Sequence, residues 1–169
     1  MDRKPARLLR AAEIADQRKW YSQRLNPRSR LAGTSLASLV GFTRTGVDVV
    51  TVPPGAESFA YHAHSFEEEW LYVLSGRGVA LVDGKELELS AGDFLGFPAP
   101  SVPHLMINRG EEDLVYLEGG ERRGLDVIDY PQLGKRYLLL HEGARGVSFY
   151  ELGEPTHPFG PAEPPQPAK

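Results

Sequence analysis

Three histidines and one glutamate are the residues of this sequence best suited to hold a metal ion. His62 and His64 are separated by one residue in a stretch of β-strand character, so their side chains share a face, roughly 6 to 7 Å apart. Glu69 opens the apolar run EWLYVL, where an unpaired buried carboxylate would be costly, and His104 opens the run PHLMIN. The spacing of the two histidines suits two ligands on one ion, and a metal ion is one way to stabilise the glutamate. An exposed HxH pair on an edge strand is the alternative interpretation.

We expect no metal-binding or catalytic role for the other glutamate and histidine residues considered. Glu67 and Glu68 are expected to be solvated turn residues, because Glu69 keeps a six-residue interval to the next glycine. His141 and His157 lie outside the segments that carry the candidate ligands, and we expect no chemistry from them. The aromatic and methionine side chains of the strands are expected either to line a pocket or to be plain core: Phe59, Trp70, Tyr72, Phe97 and Met106.

The composition is that of a single globular domain. The chain has 169 residues, of which 41% are hydrophobic and 25% charged, close to the averages for soluble proteins. It has no cysteine, so a metal must be held by nitrogen and oxygen ligands. No apolar window has the length of a membrane span, and the amino terminus lacks the apolar region of a signal peptide. A cytoplasmic location without membrane attachment is therefore expected.

The chain divides into an arm, a β-domain and a tail. Residues 1–35 are expected to form a basic arm, helical over 4–25, where the composition is rich in Ala, Leu, Arg, Glu and Gln. Residues 36–154 contain short β-prone runs, beginning with LASLV and spaced about ten residues apart, which predict an all-β barrel or sandwich. Asp83-Gly84 predicts a two-residue hairpin turn. The segment 121–136 is expected to be a loop, followed by two further strands, and the proline-rich residues 155–169 a disordered tail.

The arm also carries most of the excess positive charge. Residues 1–30 contain nine Lys or Arg against three Asp or Glu, although the whole chain has a net charge of −4. Such an arm could bind nucleic acid or an acidic partner, but we favour packing of the arm on its own acidic domain. We also expect a homodimer to which residues 1–35 contribute contacts, since a single small barrel leaves strand edges to be covered.

The spacing of the first candidate ligands resembles the first sequence motif of the cupins. That motif runs glycine, five residues, HxH, three or four residues, Glu, six residues, glycine. Here six residues, not five, separate the first glycine from the HxH pair. The matching positions are Gly55, His62, His64, Glu69 and Gly76.

A second stretch resembles the second cupin motif, which runs glycine, five residues, PxG, two residues, His, three residues, Asn. In this chain Pro100 stands where that motif usually has glycine, with one extra residue before the histidine. The resemblance covers roughly residues 40–120 and extends to small bacterial cupins of unestablished activity. The matching positions are Gly92, Pro98, His104 and Asn108.

Several expectations follow from this resemblance. It implies an all-β double-stranded β-helix, the cupin jelly-roll barrel, here with an N-terminal helical arm. It implies that His62, His64, Glu69 and His104 hold one divalent transition metal ion, and that Asn108 hydrogen-bonds backbone. These ligands suit Fe, Mn, Ni, Zn, Co or Cu. The expected function is that of a metal-dependent enzyme on a small oxygen-rich molecule, of dioxygenase, decarboxylase, isomerase or lyase type; the alternative is a non-catalytic module that senses a small ligand or a metal.

Overall fold

The structure, a computed structural model, describes residues 5–142 and 146–154. Strands form most of it, and the helices are short. The helical elements are α1 (Ala11–Asp16), α2 (Leu36–Val40) and a 3-10 turn at Pro131–Leu133. The strands are β1 (Lys19–Tyr21), β2 (Leu31–Ser35), β3 (Thr45–Val52), β4 (Ala63–His64), β5 (Glu69–Ser75), β6 (Arg77–Val82), β7 (Lys85–Ser90), β8 (Phe94–Phe97), β9 (His104–Ile107), β10 (Leu114–Glu121), β11 (Leu125–Tyr130), β12 (Lys135–His141) and β13 (Val147–Glu151).

The strands form antiparallel sheets that close into a barrel. A six-stranded sheet has the order β1-β2-β3-β10-β5-β8, a four-stranded sheet β13-β12-β11-β4, and a three-stranded sheet β7-β6-β9. The two smaller sheets meet where His62 and His104 form an antiparallel bridge. The chain is therefore the jelly-roll barrel that the sequence predicts, with a small helical N-terminal part.

The core lies between the six-stranded sheet and the three-stranded sheet. Successive side chains of a strand point to opposite faces, and the inward positions of β3, β5 and β10 are the buried ones. A second, smaller cluster lies on the four-stranded sheet and includes Ile128, Tyr130 and Leu139. The main cluster consists of Leu31, Val50, Val52, Ala56, Leu71, Val73, Ala80, Leu89, Phe97, Met106, Leu114 and Tyr116.

The predicted hairpin between β6 and β7 is confirmed. Asp83 has φ 48° and Gly84 has φ 73°, so both central residues are left-handed. A two-residue turn with both central residues at positive φ matches the twist of the strands it joins. The Asp-Gly pair therefore fixes the register of β6 against β7, from Val82–Lys85 outward.

The prediction of a helix over residues 4–25 is wrong in its extent. Helix α1 has six residues, none of them buried, and Leu8 of the expected apolar stripe is 67% exposed. With no face to bury, a longer helix gains little from tertiary packing. Residues 19–21 and 31–35 instead form β1 and β2, which extend the six-stranded sheet, and Leu31 is fully buried.

Two further segments differ from expectation. LASLV is not a strand but α2, because the Ser35 side chain caps its first turn through the Ser38 N–H and Gly41 ends it in the left-handed conformation. The segment expected to be a loop contains β11, whose alternate residues Asp126, Ile128 and Tyr130 are buried. The acidic residues of this strand conceal its alternation, since Asp126 occupies a buried position that is usually apolar.

The remaining expectations about organisation stay predictions. The proline-rich segment 155–169 and His157 lie outside the described residues. The division at residue 35 and the cytoplasmic location stay predictions as well. In the described part of the chain, no helix is long and apolar enough to cross a membrane.

Candidate metal centre

The four predicted ligand side chains come together inside the barrel. The Nε2 atoms of His62, His64 and His104 lie 4.0, 3.3 and 3.2 Å from the same oxygen, Oε2 of Glu69. All three histidines are at least 92% buried, with exposures of 8%, 7% and 4%. His62, Glu69 and His104 have potential ligand atoms within 4.8 Å of one another, close enough to share one ion, and His64 approaches the same carboxylate oxygen.

Strand pairing positions these side chains. His62 and His104 face each other in an antiparallel bridge, with His104 N–H donating to His62 O at 2.8 Å and His62 N–H donating to His104 O at 3.2 Å. Glu69 begins β5 between Phe97 of β8 and Gly120 of β10. A methyl group placed on Gly120 would lie 3.2 Å from Cγ of Glu69. The glycine therefore leaves room for the glutamate side chain.

The other ring nitrogen of each histidine has its own hydrogen-bond partner. Nδ1 of His62 lies 2.8 Å from the carbonyl oxygen of Ala60, and Nδ1 of His104 lies 3.0 Å from that of Val102. Nδ1 of His64 meets the carboxylate of Asp126. A carbonyl oxygen can only accept, so Nδ1–H donates in the first two cases, and the neutral ring then presents an unprotonated Nε2. This is the hydrogen-bonding pattern of metal-binding histidines, so the residues fit a transition metal ion.

The electrostatics of the cluster keep the Glu69 side chain ionised among the imidazoles. Burial alone would raise the pKa of Glu69, but the His104 hydrogen bond and the neighbouring imidazoles outweigh it and lower the pKa to about 2. Burial, followed by the proximity of His104, lowers the pKa of His62 to about 3. The anionic state of Glu69 and the neutral state of His62 are the protonation states that a bound metal ion needs.

Asp126 supports His64 from outside the cluster. It is fully buried, and its second oxygen accepts the Phe66 N–H at 2.8 Å. Burial would lower the pKa of His64, but the hydrogen bond to Asp126 and the charge of Glu69 raise it. His64, Glu67 and Asp126 also have potential ligand atoms within 4.8 Å of one another. Since His64 would use Nδ1 there, we interpret Asp126 as the carboxylate that orients the imidazole.

Glu67 is buried, contrary to the prediction of a solvated turn residue. It is 5% exposed, accepts the backbone N–H of Arg123, and has Oε1 3.1 Å from Nε2 of His141. Burial raises the pKa of Glu67, against the effects of Arg123 and His141. The sequence spacing of Glu69 and Gly76 could not predict that Glu67 is buried. Its partner His141 is 74 residues away in sequence and reaches it only through strand β12.

The cluster lies in a cavity of about 280 Å³. Phe97 and Met106 form part of its wall, and Phe97 stacks on His104 with ring centroids 3.7 Å apart. The half-buried Arg122 and the exposed Phe149 also line it, so the cavity reaches the protein surface. Phe59 and Trp70 line the cavity as well, whereas Tyr72 is 41% exposed.

Two further carboxyl groups lie on the cavity wall next to the cluster. Asp48 of β3 and Glu118 of β10 are direct cross-strand partners, and both line the cavity. Burial raises the pKa of Glu118 well above its ordinary value, and Glu69 and Asp48 add to the rise. Oδ1 of Asp48 is buried and has no hydrogen-bond partner among the described residues. The alternation of side chains along β3 predicts that Asp48 faces the interior, because it shares a face with the buried Val50.

Asn108 has the role that the sequence predicts. It is fully buried, and Nδ2 donates to Val52 O at 2.7 Å and to Glu112 O at 2.8 Å. Its Oδ1 accepts the Gly110 N–H. The side chain therefore ties the end of β9 to β3, away from the candidate ligands.

Comparison with known proteins supports one family. The cupin domain matches residues 48–119. A structure named as that of a putative sugar phosphate isomerase, from Acidithiobacillus ferrooxidans, is 36% identical, with 86% of this chain and 90% of that one covered and a TM-score of 0.78. A sugar phosphate isomerase of the cupin superfamily from Silicibacter pomeroyi is 26% identical, with coverages of 83% and 90% and a TM-score of 0.68. The chain belongs to the cupin superfamily.

Curated relatives match over a shorter region. An oxalate-binding protein of Thermotoga maritima is 38% identical over 66 residues, or 39% of this chain and 53% of that protein. The chain spans about half the length of the curated relatives it matches. These matches support the cupin barrel and carry no conclusion about the activity of this chain.

Proposed function

We propose that this cupin is a metal-dependent isomerase acting on a small sugar phosphate. The observation that carries the proposal is the position of the Asp48–Glu118 carboxyl pair on the wall of the same cavity into which the four candidate ligands converge. The names of its relatives from Acidithiobacillus and Silicibacter support the choice of an isomerase over a dioxygenase, a decarboxylase or a lyase. A phosphorylated sugar is also a small, oxygen-rich molecule.

The proposed ligands of the ion are His62, His64, Glu69 and His104. Their donor set suits Fe, Mn, Ni, Zn, Co or Cu as a divalent ion. When bound, such an ion supplies Lewis-acid polarisation of a carbonyl or hydroxyl oxygen. Phe97 and Met106 limit water beside that oxygen, and low polarity strengthens electrostatic interactions there.

The Asp48–Glu118 pair supplies the proton transfer. Burial of the Glu118 carboxyl group, together with the nearby charges of Glu69 and Asp48, raises its pKa, so Glu118 retains a proton that ordinary carboxyl groups lose. One member accepts a proton from the substrate carbon that bears the hydroxyl group. The pair then returns a proton to the neighbouring carbonyl carbon, and the proton of the hydroxyl group passes to the former carbonyl oxygen, so that the carbonyl moves by one carbon without net oxidation.

The alternative is a non-catalytic module that senses a small ligand or a metal. A cavity that reaches the surface and contains acid–base residues beside the ligand cluster supports the enzyme, because a sensor needs no proton-transferring group. A dioxygenase would consume oxygen, and a decarboxylase would release carbon dioxide. Each alternative therefore has its own readout.

Exchange of substrate protons with solvent tests the isomerase directly. The protein, loaded in turn with each candidate divalent ion, is incubated in deuterated water with aldose and ketose phosphates, and NMR follows deuterium at the carbon beside the carbonyl. We expect interconversion with deuterium incorporation in the wild type and its loss in Glu118→Gln. If tight ligand binding occurs without exchange for every ion, the sensor replaces the enzyme.

We also propose that the chain forms a homodimer. The outer face of β5 and β8 carries exposed aromatic side chains, with Tyr72 41% and Phe94 64% exposed, and Trp20 of β1 is 57% exposed. Burial of such surface favours association. Light scattering at micromolar concentration should give twice the chain mass, and a monomer there would contradict the proposal.

A further inference from the structure

Arg122 is a cavity residue that the candidate metal centre does not use. It directly follows β10, is half-buried, and lines the cavity. Its backbone N–H donates to Arg44 O at 3.0 Å, which fixes the start of the side chain. The guanidinium lies over Gly46, where an added methyl group would be 3.5 Å from Nε and 3.7 Å from Nη2.

The charge of Arg122 has no protein partner among the residues that the structure describes. Within residues 5–142 and 146–154, its guanidinium forms no ion pair and no side-chain hydrogen bond, whereas neighbouring Arg123 is paired with Glu121 at 2.9 Å. A guanidinium has five N–H donors, and a half-buried one is stabilised by acceptors that match its fork. These donors are therefore available to a ligand in the cavity.

A bare strip of backbone joins Arg122 to the ligand cluster. Gly46 of β3 pairs with Gly120 of β10, and Gly120 pairs with Glu69 of β5. Neighbouring strands are about 4.8 Å apart, so the strip from Gly46 to Glu69 is about 10 Å wide. The Arg122 guanidinium lies at the Gly46 end of this strip and the Glu69 side chain at the other end, and both line the same cavity, so a short molecule in the cavity can contact both.

We propose that Arg122 binds the phosphate group of the substrate, while the carbon chain lies along the Gly46–Gly120 strip and the reacting end reaches the ligand cluster. The inference rests on the proposed isomerase for what happens at the reacting end. A guanidinium binds phosphate through two parallel charge-assisted hydrogen bonds, which also fix its orientation. Arg122 is thus a specificity-determining residue that selects phosphate esters over free sugars.

The neighbouring charges are compatible with a bound anion. Glu121 is held by Arg123, so it does not compete for Arg122. Asp48 and Glu118 lie one row further inside the barrel, two residues from Gly46 and Gly120 along their strands. The proton retained by Glu118 lowers the negative charge that a phosphate group would meet.

Calorimetric titration of the Mn(II)-loaded protein tests the assignment with ribose, its terminal phosphate ester and inorganic phosphate as probes. We expect the wild type to bind the ester about 10- to 100-fold more tightly than ribose, from charge-assisted hydrogen bonds. Arg122→Gln should lose that preference, and Arg122→Lys should retain part of it. The matched control Arg123→Gln, which removes an exposed paired arginine, should bind as the wild type does.

Three results would overturn the assignment: no preference for the ester in the wild type, an unchanged preference in Arg122→Gln, or an equal loss in Arg123→Gln. The deuterium-exchange assay separates this inference from the proposed isomerase. Selective binding of the ester through Arg122 without exchange supports the phosphate site and contradicts the isomerase. Exchange with an unchanged KM in Arg122→Gln supports the isomerase and contradicts the phosphate site.

Discussion

The carboxylate of Asp126 holds the imidazole of His64 at Nδ1, and the opposite nitrogen, Nε2, lies 3.3 Å from Glu69. Asp126 and His64 are 62 positions apart in sequence, and pairing of β4 with β11 brings them together. Asp126 is fully buried, so removal of its charge affects the ring without a direct change at the ligand atoms. The orientation of a proposed ligand thus depends on a strand outside the two cupin motifs.

Asp126→Asn should weaken metal binding while the barrel stays folded. The amide keeps the shape of the side chain but loses the charge that orients and polarises the imidazole. Such supporting residues typically change metal affinity by about 10- to 100-fold, which a competition titration with a chromogenic chelator measures. Asp129→Asn is the matched control, since Asp129 lies on the same strand in a surface ion pair with Arg136. Equal affinities for the two variants would contradict the supporting role.

Glu118→Gln should stabilise the metal-free protein and slow proton transfer to and from the substrate. The folded state keeps Glu118 protonated well above its ordinary pKa of 4.5, whereas the unfolded state ionises it, so the wild type loses stability as the pH rises above that value. Glutamine removes this loss, and the difference in Tm between variant and wild type should grow from about pH 5 to about pH 8. Exchange of substrate protons should fall by about 10²- to 10⁴-fold. Glu86→Gln, at an exposed ion pair with Arg109, should change neither quantity.

The stability of the metal-free protein should decrease in mild acid because of His62. Its pKa falls from 6.5 in the unfolded chain to about 3 in the folded state, so below about pH 6.5 the unfolded state binds more protons. The free energy of unfolding should therefore drop by about 2 kcal/mol between about pH 6.5 and about pH 5 from this residue. Urea titrations across this range measure it, and His62→Gln should flatten the dependence. A wild type that gains stability on acidification would contradict the buried neutral state.

Gly120→Ala should disturb Glu69 and lower both stability and metal affinity. The added methyl group would lie 2.7 Å from Glu68 O and 3.2 Å from Glu69 Cγ, so the glutamate must move. Overpacking of this kind costs about 1 to 3 kcal/mol, which denaturant unfolding measures. Gly124→Ala meets nothing within 4 Å and serves as the control. If Gly120→Ala binds metal as tightly as Gly124→Ala does, Glu69 is not positioned by this contact.

The barrel and the set of four side chains were within reach of the sequence because both follow from its resemblance to the two cupin motifs. Alternation along a strand places His62 and His64 on one face, and Asp83-Gly84 encodes its hairpin through the backbone alone. The helix predicted over residues 4–25 is much shorter in the structure, and strand β1 was not predicted, since pairing with β2 overrides the helix propensity of residues 19–21. Tertiary pairing cannot be read from local propensity.

The supporting residues were missed because long-range pairing creates their environment. Asp126 lies in a segment that resembles a loop, and His141 meets Glu67 only when β12 is in place. Asp48 and Glu118 resemble ordinary polar residues of half-exposed strands. Strict alternation from Val50 and Tyr116 would have placed both carboxyl groups inside the barrel, so a signal for them was present.

Anomalous diffraction from crystals of the Mn(II)-loaded protein shows directly whether His62, His64, Glu69 and His104 hold one metal ion. We expect one strong anomalous peak at roughly 2.0 to 2.2 Å from Nε2 of all three histidines and from a carboxylate oxygen of Glu69. The peak should be lost in Glu69→Gln crystals grown under the same conditions. A peak between His64, Glu67 and Asp126 instead, or no peak in the cavity of fully loaded protein, would contradict it.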